Sequence, residues 1–334
     1  MVPLISVIIP NYNGEKTLDL CLTAATLIKD EAFEIIVVDD GSDDRSRDII
    51  RRFPCCTLIE SSQHAGASHA RNLGALQACG DFLFFIDADC LMQKNTLSQL
   101  RRVLTTADAH TIIGGTYTPQ PYDSAFFSRF QSVFINYTET KRRVGADYIA
   151  THAMAMKTEL FRNNGGFAED GLPILEDVEF SHRCRRAGVT LMMQPLIQVQ
   201  HIFNFSLFDS FRNAARKTRY WLQYSLKNKD LFADSGTASI ELKFNVSSFF
   251  ICLALLFGLA AGNTVVLAAL ISLCCFNVYI NRGLFKAFYA ANGPVFGIAA
   301  CCYYLLLYPI PIAAGTITGF SDLLRHKVRK PGYA

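Results

Sequence analysis

Between Phe244 and Phe320 this 334-residue chain carries only two charged side chains, Arg282 and Lys286. A stretch so apolar is either the core of a helical bundle or a set of helices facing lipid. It divides into three blocks, about Phe244 to Ala261, Thr264 to Ile280 and Pro294 to Thr318. Each approaches or exceeds the ~20 residues that cross a ~30 Å hydrocarbon layer. Their apolar character continues all round, which favours membrane helices over a bundle with a polar exterior. Gly262 and Asn263 predict a tight turn that makes a hairpin of the first two blocks. Pro309 and Pro311 interrupt the third. Two crossings with a re-entrant third segment, and three crossings that carry "RHKVRK" against the positive-inside rule, both stay open.

Just before these blocks, "LFDSFRNAARKTRYWLQYSLKNKDLF" mixes Phe208, Phe211, Trp221 and Leu222 with Arg212, Arg216, Lys217 and Arg219. That mixture predicts amphipathic helices, lying on the membrane surface with cations toward headgroups or packed on a neighbouring domain. "NRGLFKAFYAANG", between the second and third blocks, suggests another interfacial helix. The first 243 residues differ in kind: 26 Lys+Arg stand against 28 Asp+Glu, so the formal +3 of the chain arises in its C-terminal part. Met1 leads directly into "LISVIIP" with no basic flank, long apolar core or cleavage site, so the N-terminal part is expected in the cytoplasm. Eleven cysteines without CxxC spacing suggest reduced packing thiols rather than zinc or a disulfide framework.

Within those 243 residues, strand-like and helix-like segments alternate. "SVIIP" is a β-rich run ended by "NYNG"; a helical pattern through Leu18, Leu20, Leu22, Ala25 and Leu27 follows. Ile35 to Val38 is continuously apolar, as in a parallel strand covered on both faces, and stops at Asp39 and Asp40. A helix from Asp43 or Asp44 to Phe53, a strand at "CTLIE", a helix at "ASHARNLGALQAC" and a strand at "DFLFFIDAD" complete the rhythm. Such alternation predicts an α/β fold with a mostly parallel, doubly wound sheet, whose ligands bind at the C-terminal strand edge. Strand alternation would put Asp87 and Asp89 on one side, where the strand emerges and can hold a metal ion. Each acidic pair alone reads equally well as turn and cap residues.

Five segments in order, "SVIIPNYNG", "EIIVVDDGSDD", "GASHARNLG", "FLFFIDAD" and "GGFAEDGLPILEDVEFSHRCRRAG", span roughly residues 4 to 190. Together they resemble the family-two glycosyltransferases, nucleotide-sugar enzymes with a GT-A fold. The resemblance implies that Pro10 and Tyr12 lie beside the nucleotide base, that Asp40 hydrogen-bonds it, and that Asp39 has a ribose or structural role. Arg71 would stand near the diphosphate. Asp87 and Asp89 would serve metal and diphosphate, with Mg²⁺ or Mn²⁺ as the cofactor, since a hard cation on carboxylates and phosphate oxygens neutralises a diphosphate leaving group. His201 matches a position where relatives place a histidine near the metal. Glu176 and Asp177 precede a helical pattern ending at Gly188, and a helix N-terminus favours their ionised forms. Asp177 matches the general base of an inverting displacement, with Glu176 beside it. "GADYIATHAMAMKTELFRNNGGF" would form the acceptor-side wall, with Thr151 and His152 lining the pocket.

The expected organisation is a catalytic domain over 1–205, interfacial helices over 206–243 and a transmembrane region over 244–334. The expected function is transfer of sugar from a UDP- or GDP-linked donor to a lipid-borne acceptor at the cytoplasmic face of the inner membrane, as in cell-envelope polysaccharide synthesis. Membrane lipids are expected partners and nucleic acid is not; homo-oligomerisation stays open. Two rivals are a processive synthase, disfavoured because "ARKTRYW" lacks the QxxRW pattern, and an inert nucleotide-sugar-binding scaffold, disfavoured because none of the acidic residues is lost.

Overall fold

The computed structural model describes residues 2–29, 32–142, 144–170, 173–259 and 264–329. They fall into two compact units, Met1–Ser124 with Glu139–Asn204, and Ala125–Thr138 with Phe205–Ala334. The predicted turn at Gly262 and Asn263 lies outside the described residues.

The first unit is a mixed α/β structure. In chain order it contains β1 (Ile5–Asn11), α1 (Leu18–Thr26), β2 (Phe33–Asp39), α2 (Ser46–Arg51), β3 (Cys56–Glu60), α3 (Ala67–Gln77), β4 (Phe82–Phe85), β5 (Cys90–Met92), α4 (Thr96–Leu104) and β6 (Thr111–Tyr117). Helix α5 (Phe126–Thr140) follows, with all but its last two residues in the second unit. Then come β7 (Met154–Lys157), α6 (Thr158–Asn163), α7 (Glu176–Arg186) and β8 (Thr190–His201). The eight strands form one sheet in the order β3-β2-β1-β4-β7-β6-β8-β5. β1, β2, β3 and β4 pair in parallel, as the βαβ rhythm predicts, while β7 is inserted antiparallel between β4 and β6.

The apolar runs form central strands because both faces are covered. Every residue of β4 and of β6 is buried, and β1 is buried except at Pro10. α3 lies close to the sheet through Gly74, where a Cβ would come 2.6 Å from Ile8 Cγ2. In the same core as α3, Phe85, Phe161, Phe167 and Phe180 make a buried aromatic cluster with ring centroids about 5 Å apart. Two boundaries differ from expectation. α2 starts at Ser46, because Asp44 turns back to accept the Ser46 N–H and also the Glu15 N–H, holding the preceding residues in a loop. β4 stops at Phe85, because Cys90 N–H donates to the Asp87 carbonyl and closes a turn. Asp87 and Asp89 therefore sit in that turn rather than on one side of a strand.

The second unit is helical: α5, then α8 (Leu207–Asn228), α9 (Ile240–Leu259), α10 (Thr264–Ile280), α11 (Arg282–Cys302), a π-helical turn at Tyr303–Leu307, and α12 (Pro309–Arg329). Ser206 and Asp209 form a reciprocal capping box at the start of α8. α12 lies against α8 at Gly315 and Gly319, where a Cβ would strike the Ala215 and Arg219 carbonyls, and Arg219 pairs with Asp322. The third apolar block bends at Asn292 and Gly293, which leave helical geometry just before Pro294, and again at the π turn. Asn277 donates to Asn245, Asn281 donates to Asn277, and the Tyr304 hydroxyl donates to Asn281, so a buried polar chain ties α9, α10 and α11 to the π turn. Two helical stretches, Ile240–Phe257 and Arg282–Arg325, are long and apolar enough to cross a membrane. Only 17% of the first is buried, so its apolar side chains face outward.

The close α8–α12 approach leaves no room for a branched side chain. Gly315→Val is expected to destabilise the protein by about 1–3 kcal/mol, seen as a lower melting temperature in detergent.

Candidate functional site

The C-terminal edge of the parallel strands gathers most of the predicted site residues. Register sets this: Asn11 pairs with Asp39, so β1 and β2 end level, while β4 ends at the same edge three residues short of them, where Ile8 pairs with Phe85. A cavity of about 430 Å³ opens there, lined among others by Tyr12, Asp40, His64, Arg71, Asp87 and Asp89. Pro10 also lines it, whereas Asp39 does not. Asp39 is fully buried and accepts from Asn11, the Ser42 hydroxyl and N–H, and Arg47. Burial raises its pKa, but these hydrogen bonds outweigh burial and hold it below the usual carboxylate range. Asp39 thus fastens the turn that presents Asp40.

Asp40 faces the loop before α3. Its carboxylate accepts the Ala65 and Gly66 N–H groups at 3.0 and 2.7 Å, and His64 Nδ1 lies 2.8 Å from Oδ2. The loop comes this close because Gly41 has φ +77° and no Cβ; a Cβ there would stand 2.7 Å from His64 N. Tyr12 is half exposed, and the His64 ring stacks on it at 3.8 Å and 21°.

Arg71 binds the separate acidic segments together. Its Nη1 donates to Glu176 at 2.6 Å and its Nη2 to Asp87 at 2.7 Å, and the side chain is only 5% exposed. Arg71, which the resemblance places near the diphosphate, is thus a buried bridge that lines the cavity. Burial raises the Asp87 pKa, but Arg71 overrides it and keeps Asp87 ionised. Beside Asp87, the β5–β8 ladder pairs Cys90 with His201 and places His201 Nε2 3.4 Å from Asp89 Oδ2. His201 is held by stacking on Phe203 at 3.8 Å and by the edge of Tyr117 at 4.9 Å. Asp89, Cys90 and His201 each offer a ligand atom within 4.8 Å of the others. The Cys90 thiol is buried and pushed well up by burial and by Asp89 and Asp87, so it stays protonated. The donors that remain, carboxylate oxygen and imidazole nitrogen, fit Mn²⁺ or Mg²⁺. Asp87 spends Oδ1 on Arg71 and stands outside this cluster. Cys21 closes the floor, its thiol donating to the Asp87 carbonyl at 3.8 Å.

α7 starts at Glu176 after Leu175, a non-glycine residue at φ 80° that turns the chain into the helix. Both acids stand in its first turn, and Asp177 accepts the Val178 N–H at 2.8 Å. The helix terminus favours an ionised Asp177, but burial and the Glu176 charge raise its pKa to about 7, against the opposing pull of Arg71. Behind it, His152 Nε2 lies 3.3 Å from Glu139, which also accepts the Thr116 hydroxyl at 2.7 Å. Tyr117 stacks on the His152 ring at 4.0 Å. Burial opposes protonation of His152, but Glu139, Asp87 and Asp177 together raise its pKa. Thr151 and His152 were expected at the pocket and are buried here. Glu139 and His64 were not singled out for any role, because neither adjoins a strand end or a recognisable segment.

The family model described as "Glycosyl transferase family 2" matches residues 6–164. Residues 6–164 carry a glycosyl transferase family 2 domain. Among curated relatives of this glycosyltransferase is "Glycosyltransferase AglE" of Haloferax volcanii, 29% identical over 243 residues, 70% of this chain and 79% of AglE. "Glycosyltransferase GlyG" of Streptococcus pneumoniae is 31% identical over 131 residues, 38% of this chain and 44% of GlyG, so the chain spans less than half of that relative. The solved structure "Mannosyltransferase PcManGT from Pyrobaculum calidifontis in complex with GDP-Man and Mn2+" superposes with a TM-score of 0.59 at 16% identity, covering 96% of this chain and 88% of that one. The fold is thus the GT-A fold that the family resemblance implies.

Removing the guanidinium takes the shared cation from two partly buried carboxylates, Asp87 and Glu176. Arg71→Ala in this glycosyltransferase is expected to lose roughly 3 kcal/mol of stability, measured by denaturant unfolding of the solubilised protein, and Arg71→Lys to recover only part of it because one ammonium cannot fork to both partners.

Proposed function

We propose that this glycosyltransferase moves a sugar, with inversion, from a UDP- or GDP-sugar to a lipid-borne acceptor at the cytoplasmic face of a membrane. The observation that carries the reading is the pairing of two kinds of carboxylate around Arg71. Asp87, ionised beside it, and Asp89 with His201 suit the diphosphate side, and Asp177, its pKa near 7, suits proton abstraction on the acceptor side. The nucleobase would rest between Pro10, Tyr12 and Asp40, all lining the cavity, with Arg71 and Asp87 next along it. Asp89 and His201 would hold the divalent cation, which neutralises the diphosphate when bound.

Asp177 takes the proton of the acceptor hydroxyl while that oxygen forms its bond to the anomeric carbon. The bond from that carbon to the diphosphate oxygen breaks on the opposite face, and the electron pair leaves with the nucleotide. Arg71 keeps Glu176 and Asp87 paired, so that neither competes with Asp177 for the proton. His152 and Glu139 bound the site behind Asp177. The apolar helical stretches Ile240–Phe257 and Arg282–Arg325 support a membrane location, and confinement to the bilayer plane supports a polyprenyl-linked saccharide, polyprenyl phosphate or glycolipid as acceptor.

The test is a screen of the purified full chain against UDP-, GDP- and dTDP-sugars with Mn²⁺, Mg²⁺ or chelator, with and without lipid acceptors. Donor turnover that needs the cation and the lipid is expected. Asp177→Asn is expected to lower kcat by about 10²–10⁴, and Asp89→Ala to abolish stimulation by the cation. No donor turnover in any arm would overturn the proposal. Because the base works only when deprotonated and its pKa is about 7, kcat is expected to rise with pH up to about 7 and flatten above it. A rate independent of pH between 5 and 8 would remove Asp177 from that role.

A further inference from the structure

Two of the three residues assigned above to the nucleobase, Tyr12 and Asp40, are engaged by a single side chain of the protein itself. His64 lies flat on Tyr12, with ring centroids 3.8 Å apart and planes 21° from parallel. The same ring places Nδ1 2.8 Å from Asp40 Oδ2. A base seated on Tyr12 and Asp40 would use the same two contacts, an aromatic face on the tyrosine and a ring N–H to the carboxylate. At 3.8 Å the stack is already at contact distance, so no second ring enters between Tyr12 and His64.

Asp40 has little capacity to serve both rings. It accepts the Ala65 N–H at 3.0 Å and the Gly66 N–H at 2.7 Å in addition to its His64 contact, which leaves few of a carboxylate's roughly four acceptor positions. The backbone around His64 is fixed by these amides and by its close approach to Gly41. The imidazole is not so confined: the side chain is 50% exposed at the rim of the cavity and can turn outward by rotation about its own bonds.

We infer that the His64 imidazole occupies the seat of the nucleobase, so that donor binding displaces it and His64 sets the affinity for the nucleotide. The inference rests on the nucleotide-sugar reading above. Displacement gives up one ring stack and one hydrogen bond to a carboxylate, and the base regains both. The net binding strength is therefore lower than the seat alone would provide.

The experiment is calorimetric titration of the full chain in detergent with UDP, GDP and inorganic pyrophosphate, each with Mn²⁺, for wild type, His64→Ala and His64→Phe. His64→Ala is expected to bind the nucleotide roughly tenfold more tightly than wild type. His64→Phe, which keeps a ring over Tyr12 without the carboxylate contact, is expected to fall between them. Pyrophosphate has no base, and its affinity should be the same in all three. Unchanged or weaker nucleotide binding in both variants would overturn the inference, since it would place the base on the other face of Tyr12 or make His64 a contact to it. Equal tightening for pyrophosphate would overturn it as well, by showing a general effect of charge or loop order. If none of the three proteins bound either nucleotide, the nucleotide-sugar reading itself would fall; binding by wild type without tightening in the variants would sink only the role of His64.

Discussion

A single buried guanidinium makes the site of this glycosyltransferase one place rather than three. Arg71 comes from a helix that packs on the sheet through Gly74, Asp87 from the turn after β4, and Glu176 from the first turn of α7, more than a hundred residues further on. Each carboxylate alone at that depth would be costly, and so would the arginine alone. Together they form a fork with two charge-assisted hydrogen bonds, whose geometry fixes the start of α7 relative to the strand edge. Asp177, one residue beyond Glu176, is carried into place with that fork.

Much of the first unit was legible because its apolar runs are short, continuous and stopped by acids. Strands β1, β2 and β4 could be read this way, since a strand buried on both faces has few other sequence solutions, and β3, α1 and α3 followed from the alternation around them. The antiparallel β7 and the long β8 are another matter: their place in the sheet depends on partners distant in sequence. Asp40, Asp87 and Asp89 do line one cavity, but their orientation is not set by strand pleat. A turn closed by Cys90 carries Asp87 toward Arg71 and leaves Asp89 beside His201, whose placement comes from ladder register. The electrostatic state of Asp177 was equally invisible, because burial and an adjacent like charge outweigh the helix terminus that the sequence does reveal.

His64 and Glu139 mark the limit of motif reading. Both are polar residues in segments with no distinguishing pattern, and both acquire meaning only from what folding sets against them, Tyr12 and Asp40 in one case, Thr116 and His152 in the other. In the second unit, composition announced long apolar helices but not how they satisfy their polar residues. Asn245, Asn277, Asn281 and Tyr304 answer one another across α9, α10, α11 and the π turn, so the polar groups are spent internally and the outward faces stay apolar.

The floor under Asp87 and Asp89 has a consequence for the chemical durability of the molecule. Cys21 and Cys90 are fully buried there, and burial together with the neighbouring carboxylates keeps both as neutral thiols. Electrophiles and peroxides attack the thiolate, which these two do not offer. Cys55 and Cys79 are exposed at the surface of the same unit and would be consumed first. A chain with so many sulfhydryls can therefore suffer oxidative wear on its outside while the ground beneath its acidic centre remains unaltered.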